Sequence, residues 1–243
     1  MDDWVKENNI TIDIIGIENL SEINGVVVSN HYCIFDWYFI GRALKEKTEK
    51  DTYTITAEFN YRRNPIGDLI LSERCWPICN YRHFGQTDEE KQKIKKNLKD
   101  AISTRLEKGD NVLVLTSGTM WNMYTKPQPS KRGAFFWAIE NDKPVLPVFA
   151  TNKPNGEQDE MKPELNKNIK IHFGAPIYHD PDLIPEENVT DMIRSVFKWQ
   201  QSIYEHEYGF KLEYGCALKW NDYVKSGASA TAIQEFIGNH KTV

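Results

Sequence analysis

The sequence predicts an α/β fold: a single domain with a mostly parallel β-sheet flanked by helices. Three observations carry this reading. Runs such as VVVS (Val26 to Ser29), NVLVL (Asn111 to Leu115) and PVLPVFA (Pro144 to Ala150) are almost wholly apolar, as strands covered on both faces are. Stretches with helical spacing alternate with them, and repeated strand–helix–strand units set strands parallel beneath their crossover helices. The 243 residues suffice for one such domain with a substantial core.

Taken in order, Thr11 to Ile17 and Val26 to Ser29 are strands, with ENLSEING turning the chain between them. Tyr32 to Lys47 carries apolar side chains at helical spacing, Thr52 to Ala57 alternates as a strand does, and Trp76 to Asn80 is a further short strand. Thr87 and Asp88 open a polar helix with acidic residues at its start and Gly109 past its end, the arrangement the helix macrodipole favours. After the strand Asn111 to Leu115 comes a loop with glycine and proline, Thr116 to Ser130, then a helix from about Lys131 to Asn141. Strands follow at Pro144 to Ala150 and Ile169 to Phe173, and a last helix at about Thr190 to Tyr204. The Trp-, Tyr- and Gly-rich tail reads as short helices, so the C-terminal part, 185–243, is helical and the domain spans 1–243. No repeat or linker divides the chain.

Composition narrows the function. A formal net charge of −5 disfavours a general nucleic-acid binder, which carries a basic surplus. No run approaches the roughly 18 apolar residues a membrane-spanning helix needs. The start, MDDWVKENN, lacks the features of a secretory signal. The expected location is therefore cytoplasmic, with membrane contact only peripheral. Cys33, Cys75, Cys79 and Cys216 are too few and too scattered for a disulfide framework and read as free thiols; no metal site is expected.

The chemistry concentrates in VVVSNHYCIFDWYFI, Val26 to Ile40. A buried strand ends at Ser29-Asn30, His31 stands at its exit, and Asp36 follows five residues later. Loops at the carboxyl ends of parallel strands are where open α/β sheets build their sites. Positions five apart point about 140° away from each other on one helix. His31 must therefore precede the helix while Asp36 reaches back from its first turns. A carboxylate on one ring nitrogen sets the tautomer and steadies the imidazolium, leaving the other nitrogen to take a proton. Spacing alone does not carry this assignment. The pattern recurs as His83 to Asp88 (HFGQTD), where Asp88 opens a charged helix and reads as a cap or N-terminal charge. Context separates the two copies.

Together with further blocks, this segment resembles the lysophospholipid acyltransferase family, which includes the 1-acylglycerol-3-phosphate acyltransferases. GIENLSEINGVVVSNH (Gly16 to His31) resembles the lead-in to that family's Asn-His-x4-Asp block. NPIGDLI (Asn64 to Ile70) and ICNYR (Ile78 to Arg82) stand where it has a second block, and Arg82 matches that block's arginine. NVLVLTSGT (Asn111 to Thr119) falls at its Phe-Pro-Glu-Gly-Thr-Arg block. KRGAFFWAI (Lys131 to Ile139), PVLPV (Pro144 to Val148) and HFGAPI (His172 to Ile177) follow in the family's order. The likeness spans about Ile14 to Ile177.

It implies a glycerolipid acyltransferase-like fold, His31 as general base with Asp36 as its partner, and no cofactor beyond the co-substrate, acyl-CoA or acyl carrier protein. The implied acceptor is a lysophospholipid or a glycerol-phosphate hydroxyl. Asn30, Arg82, Ser117, Gly118, Thr119, Lys131 and Arg132 are the implied substrate-binding positions. Backbone N–H groups near Gly118, or at the helix start after Asn30, are the expected donors to an oxyanion.

The third block departs from the family. Thr116, Ser117, Gly118, Thr119 and Met120 replace Pro-Glu-Gly-Thr-Arg, so the glutamate and the arginine are gone. A hydrogen bond to a charged group is worth about 1.5–3 kcal/mol, so phosphate binding would weaken about ten- to a hundredfold unless Arg82, Lys126, Lys131 or Arg132 compensates. Otherwise the acceptor carries no phosphate there. Simpler roles stand beside each residue. Gly118 suits a turn, Asn30 a helix cap, Arg62 and Arg63 the surface, and Trp37, Tyr38 and Phe39 the core. Two other classes compete. A serine hydrolase is disfavoured because Ser117 lies in Thr-Ser-Gly-Thr and no Gly-x-Ser-x-Gly elbow occurs. A non-catalytic lipid- or acyl-thioester-binding homologue is made plausible by the altered third block.

Overall fold

The computed structural model describes residues 6, 9–20, 23–32, 35–57, 75–78, 87–118, 120, 124–152, 168–209 and 211–214. The strands are β1 (Thr11–Ile15), β2 (Val26–Ser29), β3 (Thr52–Ala57), β4 (Cys75–Ile78), β5 (Asn111–Leu115), β6 (Val145–Asn152) and β7 (Asn168–Phe173). The helices are α1 (Asp36–Thr48), α2 (Asp88–Glu107), α3 (Gly133–Glu140) and α4 (Pro185–Tyr208), and Ile17–Leu20 forms a 3₁₀ turn. Among the described residues the strands make one sheet in the order β1-β7-β6-β2-β5-β3-β4.

Pairing is parallel throughout except between β6 and β7. The predicted mostly parallel sheet is thus the observed one, with one pair reversed. An antiparallel neighbour needs no crossover helix. The pair β7 and β1 therefore runs opposite to the other five strands. β2 lies at the centre, with Val26 opposite both Val112 and Val145. All four of its residues are buried, which explains its unbroken apolar run.

The period of two along β2 divides the core. Val27, with Leu113, Leu146 and Val148, faces α1, which contributes Trp37, Phe39, Ile40 and Leu44. Val26 and Val28 face the other side, where α2 supplies Ile102 and Leu106, α3 Phe135, and α4 Val189, Met192 and Val196. Trp37, Tyr38 and Phe39 are core residues, as their simpler reading has it.

Helix boundaries follow local chemistry. Thr87 caps α2: its side chain accepts the Glu90 N–H while the Glu90 carboxylate accepts the Thr87 N–H, a complete capping box. Asp88 supplies N-terminal charge and pairs with Lys91 at 2.9 Å, so the second H-x4-D copy has its aspartate at a helix start; His83 lies outside the described residues. α1 begins at Asp36, four residues after its predicted start. α4 is longer than its predicted span because Pro185 opens it at the first helical position and Gly209, at φ 79°, closes it. The predicted strand over Thr11 to Ile17 stops at Ile15, where Gly16 turns with φ 76°. A Cβ at Gly16 would fall 2.4 Å from the Phe173 carbonyl oxygen, so only glycine fits between β1 and β7 there. The tail beyond residue 214 lies outside the described residues.

One buried titratable group sits in the sheet. His172 on β7 is 3% exposed, with Nε2 3.1 Å from Thr151 Oγ1 and 3.9 Å from Glu207 Oε1. Burial lowers its pKa from 6.5 to about 4; the Glu207 carboxylate opposes that shift, while Lys170 and His206 reinforce it. Desolvation outweighs the Glu207 carboxylate, which at 3.9 Å stands beyond hydrogen-bond reach of the ring nitrogen. Between these values the unfolded chain binds a proton that the folded chain does not, so stability falls as pH drops from 6.5 towards 4. The integrated loss is about 2 kcal/mol at pH 5 and about 3 kcal/mol at pH 4. Urea midpoints measured from pH 7 to pH 4 should decline accordingly, and His172→Gln should flatten that part of the decline.

Candidate active site

The site forms where β2 and β5 end side by side. Ser29 is the last residue of β2, and its carbonyl accepts from the Thr116 N–H at 3.0 Å and from the Thr116 hydroxyl at 3.3 Å. The altered third block thus lies directly against the exit of β2. Thr116 Oγ1 is also 2.9 Å from Ser130 Oγ, and the Lys131 N–H donates to the Thr116 carbonyl at 2.7 Å. Both ends of the loop 116–131 are therefore held at one point.

His31 and Asp36 are brought together as their spacing predicts. Asp36 Oδ2 is 3.0 Å from His31 Nδ1 and accepts the Tyr32 backbone N–H as well. Asp36 is 2% exposed, whereas the His31 side chain keeps 20% of its surface open. α1 starts at Asp36 and not at Tyr32, so the carboxylate that opens the helix reaches back to both His31 and Tyr32.

Asn30 uses both ends of its amide on β6. Its Nδ2 donates to the Ala150 carbonyl at 3.2 Å, and its Oδ1 accepts the Ala150 N–H at 3.0 Å. It does not cap α1, whose N-cap is Phe35. Ser117 is buried and Gly118 is exposed on the same turn. Gly118 has φ 71°, and its N–H donates to the Leu115 carbonyl at 3.2 Å. That turn needs the left-handed backbone which glycine adopts without strain.

The predicted cations separate. Lys131 lies over the third block: a Cβ built on Gly118 would touch Lys131 Cγ at 3.4 Å. Arg132 instead donates to the Glu186 carbonyl at 3.2 Å and stands 5.4 Å from the centre of the Phe136 ring. Lys126 is buried, its Nζ donating to the Glu213 carbonyl at 2.7 Å. Arg82 and Thr119, with Arg62, Arg63 and most of the second block, lie outside the described residues.

Three of the backbone N–H groups in the regions expected to supply oxyanion donors are bonded within the fold. The Gly118 N–H is taken by Leu115, and beyond Asn30 the N–H groups of His31 and Tyr32 are taken by Gln128 and Asp36. A donor already bonded inside the fold is not aimed at a reacting carbonyl. Gln128 itself was not predicted. Its buried side chain meets both backbone polar groups of His31, and the sequence signal for it is slight: a polar residue between two prolines, Pro127 and Pro129. Among the described residues no three His, Cys, Asp or Glu side chains gather as a metal site would require, and no helix is long and apolar enough to cross a membrane.

These features define a histidine–carboxylate pair at the carboxyl edge of a mostly parallel sheet, beside a glycine turn. The family model described as Acyltransferase matches residues 11–151, more than half of the chain. The chain belongs to this acyltransferase family, as its motif blocks suggest. Among solved structures the fold resembles the 1-acyl-sn-glycerophosphate (LPA) acyltransferase PlsC from Thermotoga maritima. That match has a TM-score of 0.55 and 16% identity, covering 87% of this chain and 80% of the other. No curated protein sequence gives a significant match.

Asp36 should matter to the fold apart from any reaction. Replacing it with alanine leaves the buried Tyr32 N–H and His31 Nδ1 without their acceptor. A buried donor left unmatched costs about 1–3 kcal/mol. We expect Asp36→Ala to lower unfolding free energy by about 2–4 kcal/mol in urea denaturation, and a loss below about 0.5 kcal/mol would contradict the assigned bonding.

Proposed function

We propose that this protein transfers a fatty acyl group from a thioester donor to the hydroxyl of a glycerolipid or lysophospholipid, in phospholipid biosynthesis. The observation that carries the reading is the His31 ring, tied through Nδ1 to a buried carboxylate and still partly open to solvent. With the proton held on Nδ1, Nε2 is the basic nitrogen.

In the proposed step, Nε2 takes the proton of the acceptor hydroxyl as its oxygen attacks the thioester carbonyl. The tetrahedral intermediate then collapses: the C–S bond breaks, the ester C–O bond remains, and the departing thiolate receives the proton from His31. Asp36 steadies the transient imidazolium. The donor, acyl-CoA or acyl carrier protein, brings the acyl group already activated, so the mechanism needs no bound cofactor. Because the acceptor is a lipid, the reaction belongs at a membrane surface, reached peripherally from the cytoplasmic side.

Lys131 is the cation best placed among the described residues for an acceptor phosphate, since its aliphatic stem covers Gly118. A second acceptor class, a non-phosphorylated alcohol, gains support from Lys126 and Arg132, whose cationic groups bond to carbonyls of Glu213 and Glu186.

The test offers purified protein one labelled acyl thioester and a panel of acceptors: lysophosphatidic acid, glycerol-3-phosphate, other lysolipids and neutral alcohols. General-base catalysis contributes about 10²–10⁴ in rate, so a folded His31→Ala protein should lose that factor. Undiminished transfer by that variant would refute the role of His31. Absence of transfer to every acceptor would favour a non-catalytic binding homologue.

A further inference from the structure

Gln128 is 3% exposed, and its side chain is spent on one residue. Its Oε1 accepts the His31 backbone N–H at 3.1 Å, and its Nε2 donates to the His31 carbonyl at 3.3 Å. A carboxamide carries an acceptor and a donor side by side, so it can meet both polar groups of one peptide edge as a neighbouring strand would. β2 has ended at Ser29, and no strand pairs with His31 among the described residues. The Gln128 side chain replaces that missing rung.

The clamp is itself braced. Pro127 and Pro129 flank Gln128 and restrict the backbone on both sides. The Tyr214 hydroxyl donates to the Pro127 carbonyl at 2.8 Å, and Lys126 Nζ donates to the Glu213 carbonyl at 2.7 Å. Tyr214 stacks on Phe197 of α4 with centroids 6.4 Å apart, and the Leu212 N–H donates to Glu205 Oε1 at 3.0 Å. The segment 211–214 thus straps the loop 124–128 to α4.

We propose that Gln128 is a positioning residue for His31: by holding the histidine's N–H and carbonyl together, it fixes the direction in which the imidazole leaves the backbone and keeps Nδ1 on Asp36. The proposal rests on His31 acting as the base. Gln128 touches the histidine's backbone and not its ring, so its removal should lower turnover without weakening donor binding.

Two variants and two readouts test this. Gln128→Ala removes both bonds, whereas Gln128→Glu keeps the size and the acceptor but turns an oxygen towards the His31 carbonyl. A misplacement of about 1 Å can cost about 10²-fold in rate, so kcat should fall about 10- to 100-fold while the donor KM stays within about twofold. Independently of activity, nitrogen NMR of imidazole-labelled protein should show a single Nδ1–H tautomer at His31 in the parent and a mixture in both variants. Folded variants that keep the parent's kcat and tautomer would overturn the proposal. So would a raised KM at unchanged kcat, which would make Gln128 a binding residue. If Gln128→Ala fails to fold, the isosteric Gln128→Glu decides. If the parent transfers no acyl group at all, the function proposed above fails, and the imidazole spectra still judge the clamp.

Discussion

A carboxylate that is 2% exposed cannot be left unsatisfied, and much of the site's geometry follows from how Asp36 avoids that cost. It accepts the Tyr32 N–H and holds His31 Nδ1 at 3.0 Å, both residues lying ahead of the helix that it opens. Its position is set in turn by α1, whose Trp37, Phe39, Ile40 and Leu44 pack against the sheet. Burying side chains of this size contributes about 1.5–3 kcal/mol each, ample to seat one carboxylate beneath one imidazole. The aromatic face of α1 therefore seats the carboxylate that meets the His31 ring.

The exit of β2 is secured from the other side by four successive residues with four separate partners. The Ser29 carbonyl binds Thr116, the Asn30 amide spans Ala150, the His31 backbone meets Gln128, and the Tyr32 N–H meets Asp36. These partners come from β5's exit, β6, the 124–128 loop and α1. A histidine flanked in this way is connected to both neighbouring strands, to α1 and to the 124–128 loop. Under the proposed function such a residue would enter the reaction already oriented, without spending the substrate's binding energy on ordering itself.

The sequence carried the elements governed by period and by local chemistry. The valine runs marked the central strands, Thr87 and Glu90 marked the start of α2, and strand followed by histidine and then aspartate marked the site. What it hid depends on contacts between distant segments. Nothing in Asn30 or Gln128 announces an amide clamp, because Ala150 and His31 lie 120 and 97 residues away. The reversal of β7 was hidden for a related reason: NIKIHF has the same pattern in either direction, and only its pairing with β6 decides. Lys126 and Arg132 looked interchangeable with Lys131 as phosphate ligands. In the fold Lys126 and Arg132 bond to the carbonyls of Glu213 and Glu186, while the Lys131 stem lies beside Gly118.

The altered third block gains a sharper meaning from this arrangement. In the family it resembles, that block helps to hold the acceptor's phosphate, and here its glutamate and arginine are replaced by Ser117 and Met120. The loop nevertheless keeps its place through bonds that none of the missing charges would supply: Thr116 to Ser29 and Ser130, Lys131 N–H to the Thr116 carbonyl, and Gly118 N–H to the Leu115 carbonyl. Each such bond is worth about 0.5–1.5 kcal/mol net, and they act on one short segment together. The position of His31 therefore does not depend on the charges that were lost. What those charges would have changed is the local field, and Lys131, whose stem lies beside Gly118, is a cation that remains at this block. The bonds that hold His31 and Asp36 are thus separate from the positions where the third block departs from the family, so that block can vary without dismantling the histidine–aspartate pair.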